Sequence, residues 1–342
     1  MSRSQVTSTV GQNSAGPAAP NVAGKNAVIN GGMDIWQRGT SFASTGGSYT
    51  ADRWWSAASG SGSTTFSRQS PGSTLPQFQY CIRSQRNSGS AELTSQQIGY
   101  TLETADSLRF AGQTITVSFY ARAGANYSAA SGVLYFLLSY GTGTDQRLLG
   151  AGFTGSTNIL FQGPVISTSW QRISYSIAIP STATEIGFYW QANVAGTALA
   201  ADYYEVTGVQ LEVGSVATPF SRAAESMANE LAACQRYYYR TSQNTAYTTF
   251  TGSTAATSTT NAYNLPIWLP VQMRVAPTSV DFSTLRVTDG YVAANNVSNV
   301  TIDGNSANIV NVDITSSSLT VGRPVALQSN GTSGYLGFSA EL

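Results

Sequence analysis

The chain has 342 residues, 42% of them hydrophobic and 10% charged, and its formal net charge is zero. That apolar share excludes a disordered chain. No run approaches the ~20 apolar residues of a membrane helix, and a neutral surface with Lys25 as its one lysine lacks the basic patch that nucleic acid requires.

Residues 1–25 form a Ser/Thr/Gly/Ala/Pro tail with no periodic apolar pattern. Met1 to Pro20 is polar and has no apolar h-region, so no secretory signal is expected. Such a tail orders only against another chain.

Residues 26–222 read as β. Gln113 to Arg122 alternates, with Ile115, Val117 and Phe119 on one face. Trp170–Ile179, Glu185–Trp190, Tyr203–Val206, Phe78–Ser84 and Leu93–Leu102 read as further strands, separated by Gly, Ser, Thr and Pro clusters. Many short strands with such turns predict an antiparallel sandwich, because each sheet must bury one face against another. The segment exceeds the ~100 residues of an immunoglobulin-like domain and suits a jelly roll with long loops.

Residues 223–238 change period. Ala224, Met227, Leu231, Cys234 and Tyr238 recur at three- and four-residue spacings, which predicts a helix with one apolar stripe and Ser221 as its N-cap. The stripe suits either packing on the sandwich or a seam between identical subunits, for which Met227, Leu231 and Tyr238 are the interface candidates.

Residues 239–342 return to β and predict a second, smaller sandwich. Its strands are read at Pro266–Arg274, Val300–Asp303, Ile309–Ile314 and Ser318–Val321, with turns at Asp289-Gly290 and Asp303-Gly304. The fold class is therefore mainly β: a jelly roll, a short linking helix and a smaller C-terminal sandwich.

Catalytic chemistry finds little support. Histidine is absent, which removes the usual general base, the Ser-His and Cys-His nucleophile pairs and the commonest zinc ligand. The carboxylate pairs Asp34 with Asp52, Glu103 with Asp106, and Glu205 with Glu212 sit in no distinctive context and read as salt-bridge or turn residues. Neither a nucleophile elbow nor a phosphate-binding loop is present. The sequence predicts no cofactor and no metal. Cys81 and Cys234 read as two buried thiols, with a disulfide left open.

Sugar binding has better raw material, because aromatic faces stack on sugar rings while Asn, Gln, Asp and Arg bond hydroxyls. In strands, neighbours point to opposite faces, so Trp55, Tyr189 and Tyr203 are the outward candidates. The bland alternative is that they are core or subunit-interface aromatics. Arg38, Asp52, Arg53 and Glu212 suggest a structural polar cluster, with Arg38 or Arg53 paired to Asp52 or Glu212, tying the first strand to the last.

Two stretches carry more. One is Asn30-Gly31-Gly32-Met33-Asp34-Ile35-Trp36-Gln37-Arg38-Gly39, followed by Asp52-Arg53-Trp54. The other runs from Thr207-Gly208-Val209-Gln210-Leu211-Glu212 through Thr218-Pro219-Phe220 to Cys234-Gln235-Arg236-Tyr237-Tyr238. With Val117–Ala123, Trp170–Arg172 and Pro270–Thr278, they resemble a carbohydrate-binding-like module of bacteriophage tail-fibre and related virion proteins. The resemblance implies a virion appendage, exterior to the particle and assembled in the bacterial cytoplasm. It implies a homo-oligomer, with a trimer favoured. Residues 1–25 would dock on other virion proteins, and host surface polysaccharide would be the ligand. The alternative it leaves is a head fibre or capsid decoration protein with a purely structural role.

Overall fold

The computed structural model describes residues 24–44, 46–58, 60, 62–243, 245–251, 254–288 and 295–342. The tail up to residue 23 and the expected turn at Asp289-Gly290 lie outside them.

Twelve strands build the first sandwich: β1 (Ser41–Ala43), β2 (Ser48–Tyr49), β3 (Trp55–Ala58), β4 (Thr64–Gln69), β5 (Cys81–Arg86), β6 (Gln96–Thr101), β7 (Thr114–Ala123), β8 (Tyr135–Gly141), β9 (Thr157–Gln162), β10 (Gln171–Ala178), β11 (Glu185–Ala192) and β12 (Tyr203–Val213). They pair antiparallel in two six-stranded sheets. Sheet one runs β1-β4-β5-β12-β7-β10 and sheet two runs β2-β3-β6-β11-β8-β9. The chain passes back and forth between the sheets, as in a jelly roll.

An aromatic core joins the sheets. Trp54 packs on Tyr100 (ring centroids 4.9 Å) and Trp190 (5.7 Å), and Phe119 packs on Trp190 (5.0 Å) and Phe136 (5.3 Å). The Trp54 indole N–H donates to the Asn30 carbonyl at 3.0 Å, so this buried donor is satisfied. In β12 the pairing with β7 slips between Thr207 and Gln210. Gly208 sits in that bulge at φ +62°, under the Phe78 ring, where a Cβ would lie 2.4 Å from the ring. Both the conformation and the space require glycine.

The polar cluster with Arg38 implies a first strand in the Asn30–Gly39 stretch, but residues 26–39 form none. They form a loop that lies along β12: the Ala27 N–H donates to the Leu211 carbonyl at 2.9 Å and the Val209 N–H to the Gly31 carbonyl at 2.8 Å. Asn30, at φ +59°, holds the loop through its side chain, which donates to the carbonyls of Ile35 and Asp52 and accepts from the Ile35 N–H. Asn tolerates this left-handed conformation better than most residues.

Beyond the short helix α1 (Thr104–Ser107), the linking helix α2 spans Met227–Gln235. It is shorter than the expected 223–238. Ser226, not Ser221, caps it by accepting from the Asn229 N–H. The expected stripe does not face inward as a unit. Cys234 is buried with Glu230 beside it, whereas Met227 is 43% and Leu231 38% exposed. A carboxylate seats the helix instead: Glu230 accepts from the backbone N–H groups of Asn30 and Ala224. Tyr238 is buried and opens a strand, so it is not on a free oligomer face.

Ten strands follow: β13 (Tyr238–Gln243), β14 (Thr254–Ala255), β15 (Asn261–Trp268), β16 (Ser279–Ser283), β17 (Leu285–Thr288), β18 (Asn295–Asn296), β19 (Asn299–Asn305), β20 (Ile309–Thr315), β21 (Pro324–Ser329) and β22 (Gly334–Ser339). They form three small sheets, β13-β22-β16, β14-β21-β17-β18 and β15-β20-β19, around one core that includes Leu265, Val287, Val312, Leu327 and Phe338. Ser318–Val321 is irregular rather than a strand. Asp303-Gly304 lies inside β19, where its pairing with β20 slips, and so makes a bulge rather than a turn.

Candidate functional site

The signature residues meet at the junction of the two sandwiches. Arg53 is buried, and its guanidinium pairs with Glu341, donates to the Thr101 carbonyl at 2.8 Å and lies over the Tyr237 ring at 3.5 Å. Arg38 reaches the same Glu341 carboxylate at 3.4 Å and lies over Tyr238 at 3.5 Å. Arg240 donates to the Gln37 and Arg38 carbonyls at 3.0 and 2.6 Å, and Arg274 holds Asp145 at 3.0 Å.

The expected ion pairs are therefore corrected. Asp52 makes no ion pair among the described residues. It accepts from the Gln37 backbone and side-chain amides, and burial pushes its carboxyl up to about 6 against the pull of the nearby Arg38 charge. Glu212 takes Lys25 at 3.6 Å and bonds Gln210 and Thr218. The arginines found a carboxylate 288 positions away from Arg53, on the other sandwich. The cluster joins two units instead of closing one.

The three aromatic candidates separate. Tyr203 lies on sheet one, its ring against Gly124 and under the Arg83 guanidinium at 3.9 Å. Arg83 and Arg122 together clamp the buried Glu205, and Arg122 lies over Trp170 at 4.7 Å. Tyr203 thus belongs to a structural stack. Trp55 does point away from the core, opposite Trp54, but it is only 1% exposed. Its ring fills the space over Gly99, where a Cβ would lie 2.0 Å from the indole. Gly99→Ala is expected to displace that ring and cost about 1–3 kcal/mol, read as a lower denaturation midpoint with altered near-ultraviolet circular dichroism.

Tyr189 falls in a row that crosses sheet two on its outer face. Trp55 of β3 pairs Gly99 of β6, Gly99 pairs Tyr189 of β11, Tyr189 pairs Leu137 of β8, and Leu137 pairs Phe161 of β9. Cross-strand partners share a face and stand ~5 Å apart. Absence of a side chain at Gly99 lets the Trp55 and Tyr189 rings approach to 5.7 Å. At the far end Phe161, 53% exposed, stacks on Tyr135 at 4.9 Å with the rings 4° from parallel.

A second row borders the first. Gln97 of β6 pairs Gln191 of β11, which pairs Tyr135 of β8. The Gln97 side chain donates to Gln191 at 2.8 Å, and Gln191 donates to Asn193 at 2.7 Å. On the other side the loop after β8 makes a wall: Leu148 and Phe153 lie against Gly187, and Leu149 lies against Gly47 beside Ala57. The result is a shallow platform with an aromatic row, a strip of amides and one wall. Tyr135 and Phe161 carry no strand signal in the sequence, because β8 and β9 lack clean alternation, and Gln97 and Gln191 read only as solvent-facing amides.

Most of the carboxylates in the candidate dyads are engaged by a positive side chain or an amide, with Asp106 the exception among the described residues. Asp34 holds Arg222 at 2.9 Å, Glu103 holds Arg236 at 3.1 Å, and Glu205 sits in its arginine clamp. Cys81 and Cys234 are free, and burial pushes both thiols up. Among the described residues no group of His, Cys, Asp or Glu is arranged to hold a metal.

No family model matches the chain, and no curated protein matches it in sequence. Solved structures similar to it include the enzymatically active domain of tailspike protein 4 of bacteriophage CBA120, at 10% identity over 56% of this chain and 22% of that one, with a TM-score of 0.34. TmCBM61, solved with β-1,4-galactotriose, aligns at 12% identity over 55% of this chain and 99% of its own, with a TM-score of 0.32. The C-terminal family 22 carbohydrate-binding module of Clostridium thermocellum Xyn10B aligns at 17% over 52% and 96%, with a TM-score of 0.31. All three scores lie below 0.5, and no ligand or role of these proteins transfers to this chain.

Proposed function

We propose that the protein binds glycans through the outer face of sheet two, as an exterior fibre or appendage of a bacteriophage particle that adheres to its host. The observation that carries the glycan reading is the register that lines up Tyr189 and Phe161, across the buried Leu137, beside Gln97, Gln191 and Asn193. Aromatic and apolar faces match the C–H faces of sugar rings, and amides match hydroxyls, which donate and accept alike. Among the site candidates read from sequence, Tyr189 is the one retained here. The virion setting rests on the signature stretches, with residues 1–25 as the docking tail and the exposed Met227 and Leu231 as a face between copies in a homotrimer. Several shallow sites on one multimer would gain strength through effective concentration.

Retention of the purified chain on an array of host capsule and lipopolysaccharide glycans tests the reading. Phe161→Ala and Tyr189→Ala are each expected to weaken binding by about 2 kcal/mol, roughly 30-fold, with unchanged folding of the Phe161 variant. Equal retention by wild type and both variants would show that the platform binds no glycan.

A second reading, a head fibre or decoration protein without a ligand, is favoured by the burial of Trp55 and the arginine stack on Tyr203. It expects no glycan retention at all.

A further inference from the structure

Trp268 is 74% exposed, the largest side chain among the described residues with so little cover. It closes β15, the outer strand of its sheet, and stands at the lip of a cleft of about 360 Å³. Across from it lie Tyr239 and Thr241 on β13, the outer strand of a different sheet, with Phe250 beside them. Ile267 and Thr251 of the lining are buried, and the Thr251 hydroxyl is already spent on the Pro266 carbonyl. The volume falls within the range of small-ligand sites.

We infer that this cleft is a second glycan-binding site, taking one or two neutral sugar units at the junction of β13 and β15. Three observations select that ligand class. The lining is aromatic, from Tyr239, Phe250 and Trp268, which offers flat faces to a sugar ring. The Tyr239 hydroxyl, the Thr241 hydroxyl and the Trp268 indole N–H have no protein partner among the described residues, so three polar groups are free for sugar hydroxyls. Among the described residues no ionised side chain lines the cleft, which disfavours an acidic ligand. A second copy of the chain is the competing occupant. Strand addition by a copy along β15 is opposed by Pro266, which has no N–H to give.

This site stands apart from the platform on sheet two, so the two can fail separately. The test is an array of neutral cello-, xylo-, malto- and galacto-oligosaccharides together with host surface glycans, probed with the full chain. Trp268→Ala is expected to lose roughly 30-fold in retention on a subset of neutral glycans while keeping the wild-type melting temperature. The double variant Phe161→Ala/Tyr189→Ala is expected to keep that subset. A Trp268→Ala chain that binds every glycan as wild type does would overturn the inference. So would one that binds normally but loses self-association by light scattering, since the cleft would then be covered by a copy.

Discussion

Glu341→Ala is expected to cost about 3–5 kcal/mol of stability and to loosen the two sandwiches from each other. The carboxylate serves two guanidiniums at once, and one of them, Arg53, has no route to water. Removing the acid leaves that charge buried with the Thr101 carbonyl and the Tyr237 and Tyr100 rings, none of them charged, to satisfy it. Losing one partner of a buried pair is costly for this reason, even where the intact pair itself adds little. Calorimetry should show the wild-type transition split in two, with the second sandwich melting first or alone. Glu341→Gln should fall between, because it keeps the volume and one acceptor but not the charge. An unchanged melting temperature in both variants would mean that the junction is held by Arg240 and Arg274 without the ion pair.

The second large effect is a stability that declines as pH rises from acid towards neutral. Asp52 has its carboxyl lifted from 3.8 to about 6 because burial penalises the charged form. The folded state therefore binds the proton more tightly than the unfolded chain. Its stabilising contribution is complete below about pH 4 and is lost as pH rises through 6, a difference worth about 3 kcal/mol. Burial raises Asp106, Glu185 and Glu230 in the same direction, so they add to the trend. Urea unfolding at intervals from pH 4.5 to 7.5 is expected to give a falling free energy. Asp52→Asn should flatten the part of the slope between about pH 4 and 6. A wild-type stability that instead rises across this range would show that Asp52 is charged and paired in the fold.

Much of the first sandwich was legible because β7, β10 and β11 alternate large apolar residues with polar or smaller ones in the sequence. Tyr135–Gly141 was not, because Leu137 is apolar on the outer face as well as Phe136 and Leu138 on the inner one. The alternation that marks a strand disappears when both faces are covered. That gap concealed the platform, since Tyr135 and Leu137 lie on β8 and Phe161 on its neighbour β9. The helix stripe misled for the opposite reason: Glu230 turned inward to cap the Asn30 loop, while Met227 and Leu231 stayed in water. Tyr189 could be read from its position between Phe188 and Trp190. Gly99 could not be read as part of the site, because what it contributes is the absence of a side chain under Trp55. For Arg38 and Arg53 no local pattern pointed to Glu341, because the contact exists only once two sandwiches have folded and docked.

The central claim is that the row from Tyr189 to Phe161 receives sugar. A crystal structure of the chain soaked with a glycan whose retention Phe161→Ala and Tyr189→Ala both weaken tests this most directly. A sugar ring stacked on Tyr189 or Phe161 is expected, with its hydroxyls bonded to Gln97, Gln191 or Asn193. A sugar bound elsewhere, with the platform bare, would contradict it.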